Sequence, residues 1–150
     1  MTRVEASVDI RAPLAEVFAY ASDWRKWDDW WEGVSGFRPT TELTRGNGTR
    51  YAYKSWIAGI PLNIETEIHD FAENVGWTGI VVKGPPHKTK WVFEGHGSQT
   101  QFTYILEYSL PVPVLGPLMD ALLIRPGWHR RLEKSLENLK VYFEKRQGFP

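Results

Sequence analysis

The stretch Gln101-Phe102-Thr103-Tyr104-Ile105-Leu106-Glu107-Tyr108-Ser109-Leu110 places an apolar or aromatic side chain at every even position. Its odd positions are polar, with Ile105 the one exception. A period of two is the mark of a strand with one dry face and one wet face. The chain begins in the same way, with Val4, Ala6, Val8 and Ile10 alternating against Arg3, Glu5, Ser7 and Asp9. Leu62, Ile64, Thr66 and Ile68 alternate in turn with Asn63, Glu65, Glu67 and His69. One-sided strands joined by short turns predict an antiparallel sheet covered on a single face.

The turn chemistry between about residues 34 and 111 is dense. Arg45-Gly46-Asn47-Gly48 reads as a hairpin, because Asn and Gly tolerate positive φ. Ala58-Gly59-Ile60-Pro61 separates Thr49–Ile57 from Leu62–Phe71, and Gly84-Pro85-Pro86 and Gly95-His96-Gly97-Ser98 mark two further reversals. Ahead of the strands, Pro13 opens a short helix in which Leu14, Val17, Phe18 and Ala21 share a face. A second short helical piece is expected over Trp24 to Trp31. The cover for the sheet is a long terminal helix from Leu115 to about Arg146, where Leu118, Leu122, Leu132, Leu136, Leu139 and Phe143 recur at helical spacing. Pro126-Gly127 falls inside that pattern and should kink or break it. The expected order is a strand, two short helices, five or six strands and a long helix, forming one domain over residues 1–150.

Composition narrows the function classes. The formal net charge is zero, which disfavours nucleic acid or an anionic membrane surface as a partner. No stretch is long and apolar enough for a membrane span, because Pro113, Gly116, Pro117 and Asp120 interrupt the most apolar one. The start of the chain has no apolar run of signal-peptide length, so a cytoplasmic location is expected. With no cysteine, thiolate chemistry and disulfides are excluded. Eight Trp, six Tyr and seven Phe point instead to a thick core or an aromatic-lined pocket.

Several local motifs fit one family. Asp9-Ile10-Arg11-Ala12-Pro13 followed by Val17-Phe18, Trp30-Trp31 before Glu32-Gly33-Val34, and Gly46-x-Gly48-Thr49-Arg50-Tyr51 occur in order. Trp91-x-Phe93 followed by Thr100, and Leu136-x-x-Leu139-Lys140-x-x-x-Glu144, complete the set. With the element order, these resemble the Bet v 1/START-like (SRPBCC) superfamily in its polyketide cyclase/coenzyme Q-binding-like branch. The resemblance covers nearly the whole chain. It implies a helix-grip fold, an α+β architecture in which a curved antiparallel sheet of six to seven strands grips the C-terminal helix. It further implies a cavity between the two for a lipid, a quinone or a polyketide-like molecule. Aromatase/cyclase members carry a cavity arginine on the strand matching residues 62–70. Here that strand holds Glu65, Glu67 and His69 and no arginine, which weakens the case for polyketide cyclisation.

Within that frame the ligand-binding candidates are the inward aromatic and aliphatic positions. Trp27 and Trp31 would share a helical face at the pocket mouth. Tyr51, Tyr53, Tyr104 and Tyr108 would give polar handles in an apolar cavity, with Ile64, Thr66 and Leu106 beside them. Trp77, Trp91 and Phe93 read as lining or core, and Leu118 and Leu122 as the helix side. His69, His87 and His96 read as structural or exposed, whereas His129 could be aimed at the cavity by the kinked helix. Arg125, Arg130, Arg131 and Lys134 interleave with Glu133 and Glu137 as a solvated helix face, the alternative being an anion site centred on Arg125. No metal-ligand spacing, phosphate-binding glycine loop or nucleophile–base pattern is present, so neither cofactor nor metal is expected and no catalytic residue is assigned. The favoured function is binding or carriage of an apolar small molecule. The alternative is a cyclase- or aromatase-type enzyme using cavity Tyr or His groups. A protein partner is a third possibility, should Ile57, Ile80, Val82, Val92 and Ile105 form an apolar patch on the outer face.

Overall fold

The alternation at the two ends of the sheet-forming sequence resolves into one ladder. Strand β1 (Thr2–Ile10) runs antiparallel to β7 (Gln99–Tyr108), with Val4 opposite Leu106, Ala6 opposite Tyr104 and Val8 opposite Phe102. The computed structural model describes residues 2–57, 59–109, 124–146 and 148, with Ile57 described by its backbone alone. Between the two strands lie α1 (Leu14–Ala21), a 3-10 turn (Trp24–Lys26), α2 (Trp27–Trp30), β2 (Val34–Pro39), β3 (Arg50–Ile57), β4 (Ile60–Ala72), β5 (Gly76–Lys83) and β6 (His87–His96). The sheet is seven-stranded and antiparallel in the order β1-β7-β6-β5-β4-β3-β2, and a long helix α3 (Arg125–Arg146) follows it. This is a helix-grip architecture. Among the described residues no helix is long and apolar enough to cross a membrane.

One-sided burial sets the register. Trp91 stands opposite Tyr104, Phe93 opposite Phe102 and Tyr53 opposite Ile64, and all six are buried on the inner face. Ile80 and Val82, on the outer face, are exposed, while Val92 and Ile105 are half-buried. Helix α3 packs along β1 and buries Leu132, Ser135, Leu136, Leu139 and Phe143. Its last turns meet α1, where Tyr142 stacks on Tyr20 with ring centroids 4.0 Å apart. Gly76 allows β5 to approach β6 closely: its φ is +145°, and a Cβ there would run into the Trp91 carbonyl oxygen.

Two local expectations are corrected. The helical piece over Trp24–Trp31 divides into a 3-10 turn and one turn of α-helix, since Asp23 Oδ1 accepts the Arg25 amide at 3.0 Å and starts a tight turn. Trp31 itself is extended, at φ −82° and ψ 113°, so it does not share a helical face with Trp27. The Arg45–Gly48 signal does fall in the hairpin that joins antiparallel β2 and β3, at the end of a longer loop. That loop folds onto β4, with Gly48 N–H donating to the Ile68 carbonyl and Asn47 Oδ1 accepting the Phe71 amide. Pro126 is the second residue of α3 as described, and the residues before Ile124, where a kink would be judged, lie outside the described residues. Leu115, Leu118 and Leu122 lie outside the described residues.

Candidate functional site

The inner face divides into a closed half and an open half. In the closed half, Trp27, Trp30, Trp77, Trp91, Phe93 and Phe102 pack ring against ring, with centroid separations from 4.3 to 6.0 Å. The void left among Trp27, Tyr53, Thr66, Trp77 and Trp91 is only about 10 Å³. Tyr51 belongs to this half, its hydroxyl donating to the Thr44 carbonyl at 2.7 Å. Phe93 is likewise packed, 5.1 Å from Phe18.

The open half is a cavity of about 240 Å³ between the start of α3 and the far ends of the strands. Of the candidate residues, Trp31, Tyr53, Ile64, Tyr104, Leu106 and Tyr108 line it. Val34, Ser55, Ile60 and Leu62 contribute from β2, β3 and β4, Pro85, Pro86, His87 and Thr89 from the β5–β6 turn and β6, Ser109 from just past β7, and Ile124 and Trp128 from the helix side. Ser55 continues the Tyr51–Tyr53 alternation and His87 continues Phe93–Trp91–Thr89 backwards, so strand period carries the signal for both. His129, one residue past Trp128, faces outwards: its side chain is 48% exposed and Nδ1 pairs with Glu133 at 3.0 Å. On a helix, adjacent residues point about 100° apart, so Trp128 and His129 cannot both face the cavity.

The polar groups of the lining are neutral. Burial, and then the neighbouring Tyr53, push the Tyr104 hydroxyl well above the ordinary tyrosine range. Burial does the same to Tyr53, against a hydrogen bond with Thr66. Both therefore remain protonated and act as hydrogen-bonding groups. Ser55 is 1% exposed, and its Oγ has no hydrogen-bond partner among the described residues. His87 Nδ1 lies 2.7 Å from the Pro85 carbonyl oxygen. A carbonyl can only accept, so Nδ1 carries the proton and Nε2 is left as an acceptor. Burial, opposed by that bond, lowers the His87 pKa from its ordinary value near 6.5.

A stability prediction follows from His87. The folded state resists protonating this ring, so His87 contributes fully above about pH 6.5 and its contribution is lost as the pH falls towards the folded value. Each unit of separation is worth about 1.4 kcal/mol. Thermal melts at pH 7.5 and pH 5.5 should show a drop that is smaller in His87→Asn, which keeps a donor for Pro85 but does not titrate. An equal drop in both proteins would dissociate the effect from this ring.

Among the described residues no group of three or more His, Asp or Glu side chains could hold a metal ion. Comparison with solved structures places the fold among known ones. The chain is similar to TTHA0849 from Thermus thermophilus at 23% identity and a TM-score of 0.80, over 93% of this chain and 94% of that one. It is similar to a START superfamily protein from Mycobacterium smegmatis at 20% identity and a TM-score of 0.74, over 93% and 97% of the two chains. The di-domain ARO/CYC protein StfQ of the steffimycin biosynthetic pathway matches at 12% identity and a TM-score of 0.75, over 97% of this chain and 51% of that one. No curated protein sequence matches. A family model described as polyketide cyclase / dehydrase and lipid transport spans residues 1–144, and the chain belongs to that family.

Proposed function

We propose that the chain is a single helix-grip domain that binds and carries an apolar small molecule in the cavity between its sheet and its C-terminal helix. The observation that carries this reading is a void of about 240 Å³ with a mainly aliphatic and aromatic wall, beside an aromatic core packed almost without gaps. An engineered apolar cavity of roughly 150 Å³ stays dry and takes up benzene, so a void of this size and lining favours an apolar occupant. The neutral hydroxyls of Tyr53 and Tyr104 and the unpartnered Ser55 give such an occupant its orientation. Native mass spectrometry of freshly purified protein, with extraction of any bound molecule, and titration with the neutral dye N-phenyl-1-naphthylamine test it. A protein that carries no adduct and does not enhance the dye's fluorescence would sink the reading.

One observation favours a second reading, an enzyme of the cyclase or dehydrase type. His87 supplies a neutral ring at the cavity wall with Nδ1 engaged by Pro85, which leaves Nε2 suited to accept a proton. Mass spectrometry of the bound molecule over time separates the two. A cargo keeps its mass, whereas a dehydrated substrate loses water, and His87→Asn would stop that loss without releasing the molecule.

A further inference from the structure

We infer that the cavity takes an amphiphile with an anionic head of the carboxylate or sulfonate type, held at the rim by Arg131. The inference rests on the apolar-ligand reading above and adds the charge of the ligand. Arg131 lies one helical turn beyond Trp128, and its guanidinium carbon is 4.9 Å from the centroid of that ring. It also lies against Gly33, where a Cβ would come within 3.0 Å of Cζ, Nε and Nη1. Trp128 and Val34, the residue after Gly33, both line the cavity, so the guanidinium is fixed between two pieces of its rim. The turn it lies on is itself docked to α3: Ser135 Oγ accepts the Glu32 amide at 2.9 Å, and Asn138 Nδ2 donates to the Trp30 carbonyl at 3.2 Å.

Among the described arginines only Arg50 and Arg131 are half-buried, and of these two Arg131 is the one without a carboxylate partner there. Arg3, Arg25, Arg45 and Arg50 each pair with a carboxylate at 3.1 Å or less. Arg131 is half-buried, yet among the described residues no carboxylate pairs with it and no acceptor engages its N–H groups. Glu32 raises its pKa through its charge without pairing with it, and Glu32 Oε1 accepts instead from Asn138 Nδ2 at 3.0 Å. The described lining contains no Lys or Arg of its own. Arg130 and Lys134 belong to a separate open groove, where Glu133 and Glu137 accompany them. A half-buried guanidinium has lost part of its hydration, the Trp128 face offsets part of that loss, and a forked oxyanion would offset the rest with charge-assisted hydrogen bonds.

The test uses two dyes with one ring system. 1-Anilinonaphthalene-8-sulfonate carries the anionic head, and N-phenyl-1-naphthylamine is the same molecule without it. Arg131→Gln should weaken the sulfonate dye by about tenfold or more while moving the neutral dye less than about threefold. Arg131→Lys, which keeps the charge but loses the fork, should fall between the two for the sulfonate dye. Circular dichroism and melting of each variant establish that the fold is intact. If Arg131→Gln weakens both dyes equally, or neither, this inference is overturned and the apolar-ligand reading stands. If neither dye binds the unaltered protein, both fall.

Discussion

Replacing Trp91 with alanine is expected to cost the fold about 3–5 kcal/mol, the range for deleting a large buried aromatic side chain. Trp91 is 2% exposed and meets Trp27, Trp30, Trp31, Trp77, Phe102 and Tyr104 at centroid separations from 4.6 to 5.8 Å. Several of these are edge or tilted contacts, a geometry favourable to aromatic quadrupoles and worth about 0.5–1.5 kcal/mol per pair beyond burial. The neighbours have little freedom to fill the space. Tyr104 and Trp77 are cross-strand partners of Trp91, and Trp27 is tethered by its indole N–H to the Ala21 carbonyl at 2.7 Å. For a chain of this length the loss corresponds to roughly 10–15 °C in melting temperature. Thermal melting followed by circular dichroism checks it, with the exposed Val82→Ala as a control expected to stay within about 0.5 kcal/mol. A loss below about 1 kcal/mol for Trp91→Ala would mean that the closed half of the inner face is not packed as described.

That division between a closed and an open half is the part of the site hardest to read from the residues. Alternation identifies the inward positions correctly along β1, β4 and β7, because each strand there has one buried and one wet face. It cannot separate Tyr51 from Tyr53, two residues apart on the same strand and the same face. One ends against the Thr44 carbonyl in a packed region, and the other ends in the cavity. The difference depends on which rings arrive from the short helices, and that is fixed by tertiary contact. Trp27 is placed by its bond to Ala21, and Trp31 by leaving the helix. Ser55 and His87 are readable in principle by extending strand period, but a lone serine and a lone histidine carry little chemical signal without a cavity beside them. Arg131 is hidden differently. Its sequence neighbours Arg130, Glu133 and Lys134 make the segment look like a solvated face, and only the docking of the Glu32–Gly33 turn onto Ser135 removes Arg131 from it.

Ser55→Phe gives the largest expected functional effect. Ser55 sits opposite Val34 on one side and Leu62 on the other, and all three line the cavity. Its Oγ has no partner among the described residues, so removing the hydroxyl breaks no hydrogen bond there and relieves an unsatisfied buried polar atom. A phenyl ring grown from this Cβ would fill space that is empty in the free protein. Binding of N-phenyl-1-naphthylamine should fall by about tenfold or more, and the melting temperature should hold or rise, since filling a void and removing an unpaired hydroxyl are worth about 1–2 kcal/mol together. Ser55→Ala separates the two contributions: it should keep the stability gain from the hydroxyl while leaving dye affinity within about threefold. A stabilising change that abolishes binding is what a void maintained for an occupant would produce, because stability and function then make opposite demands on the same space. Unchanged dye binding in Ser55→Phe would place the dye elsewhere, the shallower groove beside Val8 and Leu136 being the next site to probe.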